Sequence, residues 1–283
     1  MSSEPIMANA GQYKTLFSNK PQSSSQQIPT PHDIDESEEV LKDGIGRLII
    51  RKGDFVIKYG VDVSAIEAEN AMYVAQSTTV PVPKVFAIYQ TQEEESRTFI
   101  VMEHVAGSSL ITLWSGLDDA TKVATAKTLR TYFDQLRQLK HRGYFGNING
   151  GPPLDGLYVA ATASHEISGS FSTEDEFIDS IIRVYRLEGG DRSTHRAQYY
   201  QRCLPKVLRG HGAPVFSHGD LQRKNIMLQP DGKPVLIDWE AAGWYPAYWE
   251  YASAIFAAGG WRDNCIITCL SSWMIPKRGY MVV

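Results

Sequence analysis

The chain has 283 residues, 43% hydrophobic and 21% charged, an ordinary globular balance that predicts a buried core in one bilobal domain or two small ones. A formal net charge of −4 argues against a dedicated nucleic-acid binder, which would carry a basic surplus. No run reaches the roughly 18 apolar residues of a membrane helix, and the first residues lack the basic and apolar blocks of a secretory signal. The expectation is a cytoplasmic protein with neither a membrane nor a nucleic-acid partner. Three cysteines, Cys203, Cys265 and Cys269, form no CxxC pair, as expected in a reducing compartment.

Residues 1–35 are rich in Ser, Gln and Pro and are expected to be disordered, because they offer too little apolar surface to offset ordering entropy. From Gly46 the pattern changes. Two strands are predicted, Arg47 to Ile50 and Phe55 to Tyr59, joined by the Arg51-Lys52-Gly53-Asp54 hairpin loop. Ser64 to Gln76 has helical spacing, with Ser64 and Glu67 at capping-box distance. Pro81 and Pro83 end that helix. Strands follow at Lys84 to Tyr89 and Thr98 to Glu103, so the first third reads β-β-α-β-β.

The remainder reads as mainly helical. Helices are predicted at Asp118 to His141, Glu174 to Leu187 and Ala197 to Leu208, with a Gly- and Pro-rich loop over Gly143 to Gly156. A short strand, Pro214 to Ser217, leads into His218-Gly219-Asp220. After it, Ile226 to Leu228 and Pro234 to Ile237 form a hairpin across the Pro230-Asp231-Gly232 turn.

The chemistry sits in HGDLQRKN, His218 to Asn225, and in IDWE, Ile237 to Glu240. Phosphoryl transfer needs little covalent help from a protein. It needs in-line geometry, a carboxylate for the attacking hydroxyl, and oxygen ligands for a divalent cation. Asp220 and Asn225 are five apart on one loop, and the hairpin returns Asp238 beside Asn225. These are the positions of a kinase base, an amide metal ligand and a carboxylate metal ligand. By residue type alone His218 is a base in competition with Asp220. Lys58 stands at the end of an apolar strand, and Glu67 and Glu69 of the following helix point to different sides of it. The dense aromatics Trp239, Trp244, Tyr245, Tyr248, Trp249 and Tyr251 are expected mostly to pack a core.

SHGDLQRKNIML followed by VLIDWEAAGWYPAYWEYA resembles the aminoglycoside phosphotransferase family, the choline kinase-like branch of small-molecule kinases. The match runs from about Gly46 to Gly260. The resemblance implies an α+β, two-lobed, protein-kinase-like fold. The small antiparallel β-rich N-lobe would span residues 36–105, and the mainly helical C-lobe residues 106–283. It implies an ATP- and Mg²⁺-dependent transfer of a γ-phosphate to a small-molecule hydroxyl.

By the same resemblance Asp220 is the catalytic base, and Asn225 and Asp238 hold Mg²⁺. His218 braces the loop, and Glu250 stands where the family has an Asp that steadies it. Lys58 pairs with Glu69, while Glu67 is left to the capping box. Met102, Glu103 and Val105 would hold the adenine. Cover for the phosphates falls to Gly44 and Gly46 or to the Arg51–Asp54 hairpin. Gly219 replaces the arginine of protein kinases, and too few residues follow Asp238 for an activation segment, which disfavours a protein kinase. The stretch CIITCLSSWMIPKRGYMVV does not resemble the family, so a truncated or atypical C-terminus is expected. That terminus gives the alternative reading, a catalytically impaired nucleotide-binding protein of the same fold.

Overall fold

Strands and one helix build the first unit, which comprises residues up to Gln76 together with Val82–Ala106. The computed structural model describes residues 12–19, 27–34 and 38–257. Six strands form one sheet: β1 (Tyr13–Ser18), β2 (Glu39–Gly44), β3 (Arg47–Lys52), β4 (Phe55–Gly60), β5 (Val85–Thr91) and β6 (Thr98–Glu103). Their order is β1-β5-β6-β4-β3-β2, antiparallel throughout. A helix, α1 (Ala65–Ser77), joins β4 to β5.

Side chains on successive strand positions point to opposite faces. Phe55, Ile57 and Tyr59 of β4 therefore face one core, with Ile50, Phe86, Phe99 and Val101. Lys58 faces the other way, in register with Ile49 and Ile100.

The expectation of a disordered stretch over residues 1–35 is corrected where the chain is described. Tyr13–Ser18 pairs with β5 as the sheet's edge strand, and Tyr13 packs edge-on against Tyr89 at 5.3 Å. Composition averaged over the whole segment hid a six-residue strand with two half-buried aromatics, Tyr13 and Phe17. β2 is likewise absent from the sequence reading, because its residues are almost all exposed and show no apolar alternation.

The second unit comprises Ser77–Pro81 and the chain from Gly107 onward. It opens with β7 (Ser108–Ser109) and α2 (Leu110–Leu113), then α3 (Asp119–Arg137), α4 (Val159–Ala163), α5 (Glu174–Gly189) and α6 (Thr194–Leu208). Asp118 caps α3 by accepting the Thr121 N–H at 2.7 Å, and Thr173 caps α5 by accepting that of Glu176 at 3.2 Å. Short strands then frame the motif: β8 (Val215–Ser217), β9 (Ile226–Leu228), β10 (Pro234–Leu236) and β11 (Gly243–Tyr245), followed by α7 (Trp249–Ala257).

β9 pairs with both β10 and β7, and β8 pairs with β11. Phe145, Tyr158, Phe177, Tyr245 and Trp249 form the aromatic core behind these strands. Trp239, Trp244, Tyr245 and Trp249 are buried, so four of the six clustered aromatics pack the interior. Among the described residues no helix is long and apolar enough to cross a membrane. Cys265, Cys269 and the C-terminal stretch expected to be atypical lie outside the described residues.

Candidate active site

Lys58 is buried at 3% exposure, and its Nζ lies 2.7 Å from Glu67 Oε2. The expected partner, Glu69, is corrected to Glu67. Two residues apart on a helix means about 200° of rotation, so only one of the pair can face β4. Glu67 is the buried one, and Glu69 is half-buried. The Glu67 side chain, expected in the capping box, is the one that meets Lys58. Ser64 Oγ accepts the N–H of Ile66 at 3.4 Å. A charge buried this deeply is stable only when paired.

The other residues expected at the nucleotide follow on the same sheet. Met102 and Glu103 end β6 and Val105 is buried just beyond it. Glu103 is tied to the start of β5: its N–H donates to the Lys84 carbonyl at 2.8 Å and its carboxylate accepts the Lys84 N–H at 3.2 Å. The tight turn at Gly44-Ile45-Gly46 joins β2 to β3, with Gly46 at φ 69°.

In the second unit the motif residues converge. β8 delivers His218, whose ring is enclosed and bonded at both nitrogens. Nε2 lies 3.0 Å from the Ile237 carbonyl, and Nδ1 accepts the Asp220 N–H at 3.3 Å. This pattern requires the neutral Nε2–H tautomer. Burial depresses the His218 pKa, which keeps the ring neutral. A ring so occupied has no free nitrogen for an acceptor hydroxyl, which favours the bracing role.

Gly219 is at φ 80°, and a Cβ there would lie 2.4 Å from the Ala241 carbonyl oxygen. Only glycine fits, which explains physically why no arginine stands before Asp220. Behind this turn Glu250, at the start of α7, accepts the N–H of His218 at 2.6 Å and of Gly219 at 3.4 Å through Oε2. Glu250 Oε1 is buried without a hydrogen-bond partner. Burial raises the Glu250 pKa to about 7, against the lowering effect of the two N–H bonds and of Arg137.

The Asp220 carboxylate is wrapped by the loop that follows it. Gln222 Nε2 donates to Oδ1. Asn225 Nδ2 donates to Oδ2 at 2.8 Å and to the Asp220 carbonyl at 2.9 Å. Lys224 Nζ lies 3.4 Å from Oδ2. Because the Asn225 nitrogen is turned inward, its amide oxygen is the atom left to offer a cation. The hairpin closes at Gly232, φ 83°, and the Ile237 N–H meets the Asn225 carbonyl at 3.0 Å, which brings Asp238 beside Asn225. Asp238 is at φ 65°, a conformation that costs a side-chain-bearing residue about 1–2 kcal/mol. An amide oxygen and a carboxylate are donors suited to a hard divalent cation.

Sequence reasoning missed Gln222, Lys224 and Asp155. Gln222 and Lys224 lie inside the motif, and only their fold onto Asp220 marks them. Asp155 carries no sequence signal. Its carboxylate accepts the Trp249 indole N–H at 3.1 Å and the Leu157 N–H at 2.9 Å. Burial raises its pKa, and the charge of Asp220 adds to the rise.

An antiparallel sheet followed by a mainly helical unit, with this donor set on the motif loop, defines a kinase-like phosphotransferase fold. The chain belongs to the phosphotransferase enzyme family, whose model matches residues 39–268. Solved aminoglycoside phosphotransferases share the fold at low identity. A thermostable mutant of APH(4)-Ia in its apo form aligns with TM-score 0.59 at 18% identity, over 83% of this chain and 77% of that one. Another thermostable mutant of APH(4)-Ia, in ternary complex with ADP and hygromycin B, aligns with TM-score 0.58 at 18% identity, over 83% and 76%. The GDP complex of wild-type aminoglycoside 2'-phosphotransferase-IIIa aligns with TM-score 0.54 at 17% identity, over 85% and 78%. A search among curated proteins finds no match.

Proposed function

We propose that this protein is an ATP-dependent phosphotransferase that moves the γ-phosphate to a hydroxyl of a small molecule. The observation that carries the reading is the Asp220 carboxylate, held by Asn225 at 2.8 Å on a loop braced by a neutral His218. Asp220 accepts the proton of the attacking hydroxyl. The new O–P bond forms as the bond to the β-phosphate oxygen breaks, and that electron pair leaves with ADP.

Lys58, fixed by Glu67, meets the α- and β-phosphates, and Met102, Glu103 and Val105 hold the adenine. Asn225 and Asp238 would hold Mg²⁺, which when bound would neutralise phosphate charge. His218 and Glu250 position the loop and carry no proton to the substrate. ADP and hygromycin B in the APH(4)-Ia complex support a nucleotide and a small acceptor. At 18% identity an aminoglycoside is one acceptor class among several. A cytoplasmic location accords with the need for ATP.

The test is Asp220→Asn. MgATP affinity measured by calorimetry should match that of the wild type, and turnover over a panel of aminoglycosides, choline, sugars and amino alcohols should vanish. Undiminished transfer by the variant would sink the assignment. A wild type that binds MgATP but transfers to no acceptor in the panel would favour the non-catalytic reading. Transfer to peptides alone would make it a protein kinase.

A further inference from the structure

The donors around Asp220 differ in kind. Gln222 and Asn225 are neutral amides, whereas Lys224, 3.4 Å from Oδ2, brings a full charge. The chain puts it there through a 3-10 turn over Arg223–Asn225, closed by the Asn225 N–H on the Gln222 carbonyl at 2.9 Å. With Gln222 extended before it, this turn brings the Lys224 side chain back to Asp220. The lysine side chain is 43% exposed and the aspartate side chain 23%. A pair with that much solvent contact is only weakly held, so it contributes little to holding the loop. A long flexible cation held loosely at the base can change partner as charge moves.

Resting on the proposed reaction, we propose that Lys224 is a further catalytic residue. It pairs with Asp220 before transfer and engages the oxygens of the moving phosphoryl group as the carboxylate takes the acceptor's proton. The balance is complete. The acceptor O–H gives its proton to Asp220, and its oxygen forms the new bond to phosphorus. The bond to the β-phosphate oxygen breaks, its electrons leave with ADP, and Asp220 later returns the proton to solvent. Lys224 transfers no proton in this step.

As Asp220 is neutralised its hold on Lys224 falls. At the same moment negative charge spreads over the three equatorial phosphoryl oxygens. The attraction is therefore greater in the transition state than in the ground state, and such an interaction raises kcat rather than ground-state affinity.

The experiment compares wild type, Lys224→Met, Lys224→Arg and Asp220→Asn. Transfer is measured over the acceptor panel, and ATP hydrolysis is measured with water as the acceptor. Mg-AMP-PNP affinity is measured by calorimetry, and folding by thermal melting. Lys224→Met should lower kcat by about 100-fold, the scale of losing one preorganised charge-stabilising donor. Its Mg-AMP-PNP affinity and melting temperature should stay close to wild type. Lys224→Arg should recover a tenth or more of the lost rate.

A Lys224→Met kcat within threefold of wild type, with Asp220→Asn dead, overturns the role of Lys224 and leaves the proposed function standing. Equal losses in kcat and in Mg-AMP-PNP affinity also overturn it, because they indicate a ground-state or structural contact. A wild type without turnover, or an active Asp220→Asn, removes the underlying reading and the inference with it.

Discussion

Glu250 Oε2 lies 2.6 Å from the backbone nitrogen of His218, so a buried carboxylate on α7 holds the turn that presents Asp220. Replacing it with alanine leaves the His218 and Gly219 N–H groups without that acceptor, at about 1–3 kcal/mol for each buried donor. Glu250→Ala should therefore unfold at lower urea, and Glu250→Gln, which keeps an accepting oxygen, should lose less.

The same residue sets a pH dependence. The Glu250 pKa is raised by burial from 4.5 to about 7, so the folded state holds a proton that the unfolded state releases. Its contribution is fully present below about pH 4.5 and is lost as pH rises through 7, a swing of about 3 kcal/mol. In urea titrations from pH 4.5 to 8, Glu250→Gln should gain stability relative to wild type as pH rises. A constant difference across that range would contradict the raised pKa.

Lys58 and Glu67 form a buried pair at 2.7 Å. Removing one partner of such a pair costs about 3–5 kcal/mol, because the other charge stays buried. Glu67→Gln should lower the melting temperature and raise the KM for ATP tenfold or more. Glu69→Gln should leave both near wild type. The reverse ranking would return the pairing role to Glu69.

Gly219 and Gly232 have nearly the same positive φ, 80° and 83°, yet differ in surroundings. A Cβ on Gly232 meets nothing within 4 Å, whereas one on Gly219 meets the Ala241 carbonyl at 2.4 Å. Gly232→Ala should cost about 1 kcal/mol for the left-handed backbone alone. Gly219→Ala should cost clearly more in the same denaturation assay and should also reduce turnover, because relief of the clash moves Asp220.

Tyr245 OH accepts the N–H groups of Leu154 at 3.1 Å and Asp155 at 3.2 Å, and donates to the Ala241 carbonyl at 2.9 Å. It thereby ties the loop carrying Asp155 to the segment behind Gly219. Tyr245→Phe keeps the stacking on Trp249, at 5.5 Å, and removes all three bonds. A loss of about 1–3 kcal/mol is expected. Hydrogen exchange should rise at residues 154 and 155 first.

The candidate motif residues lie close together in one dimension because they sit on one short loop and one hairpin. Asp220, Asn225 and Asp238 are positioned by local geometry, namely a fixed spacing, an Asp-Gly turn and a strand of known length. Thr98–Glu103 and Ile226–Leu228 appear at the expected bounds for the same reason, since a short apolar run beside loop or turn residues is a local signal. His218-Gly219-Asp220 carried the family membership, and the φ of Gly219 gives the glycine a structural cause.

Other features needed the tertiary structure. Glu67 and Glu69 have the same side chain, and only the rotation of α1 against β4 selects Glu67. Tyr13–Ser18 becomes a strand because β5 offers it an edge, which composition cannot reveal. Lys224 gains its place at Asp220 from one 3-10 turn. Glu250 titrates near 7 because the packed interior withdraws it from water, a property of burial and not of residue type. Sequence alone determined which chemical groups this protein has and their local order. The tertiary structure decided which carboxylates are paired, buried or presented, because pairing and desolvation depend on distances across the fold.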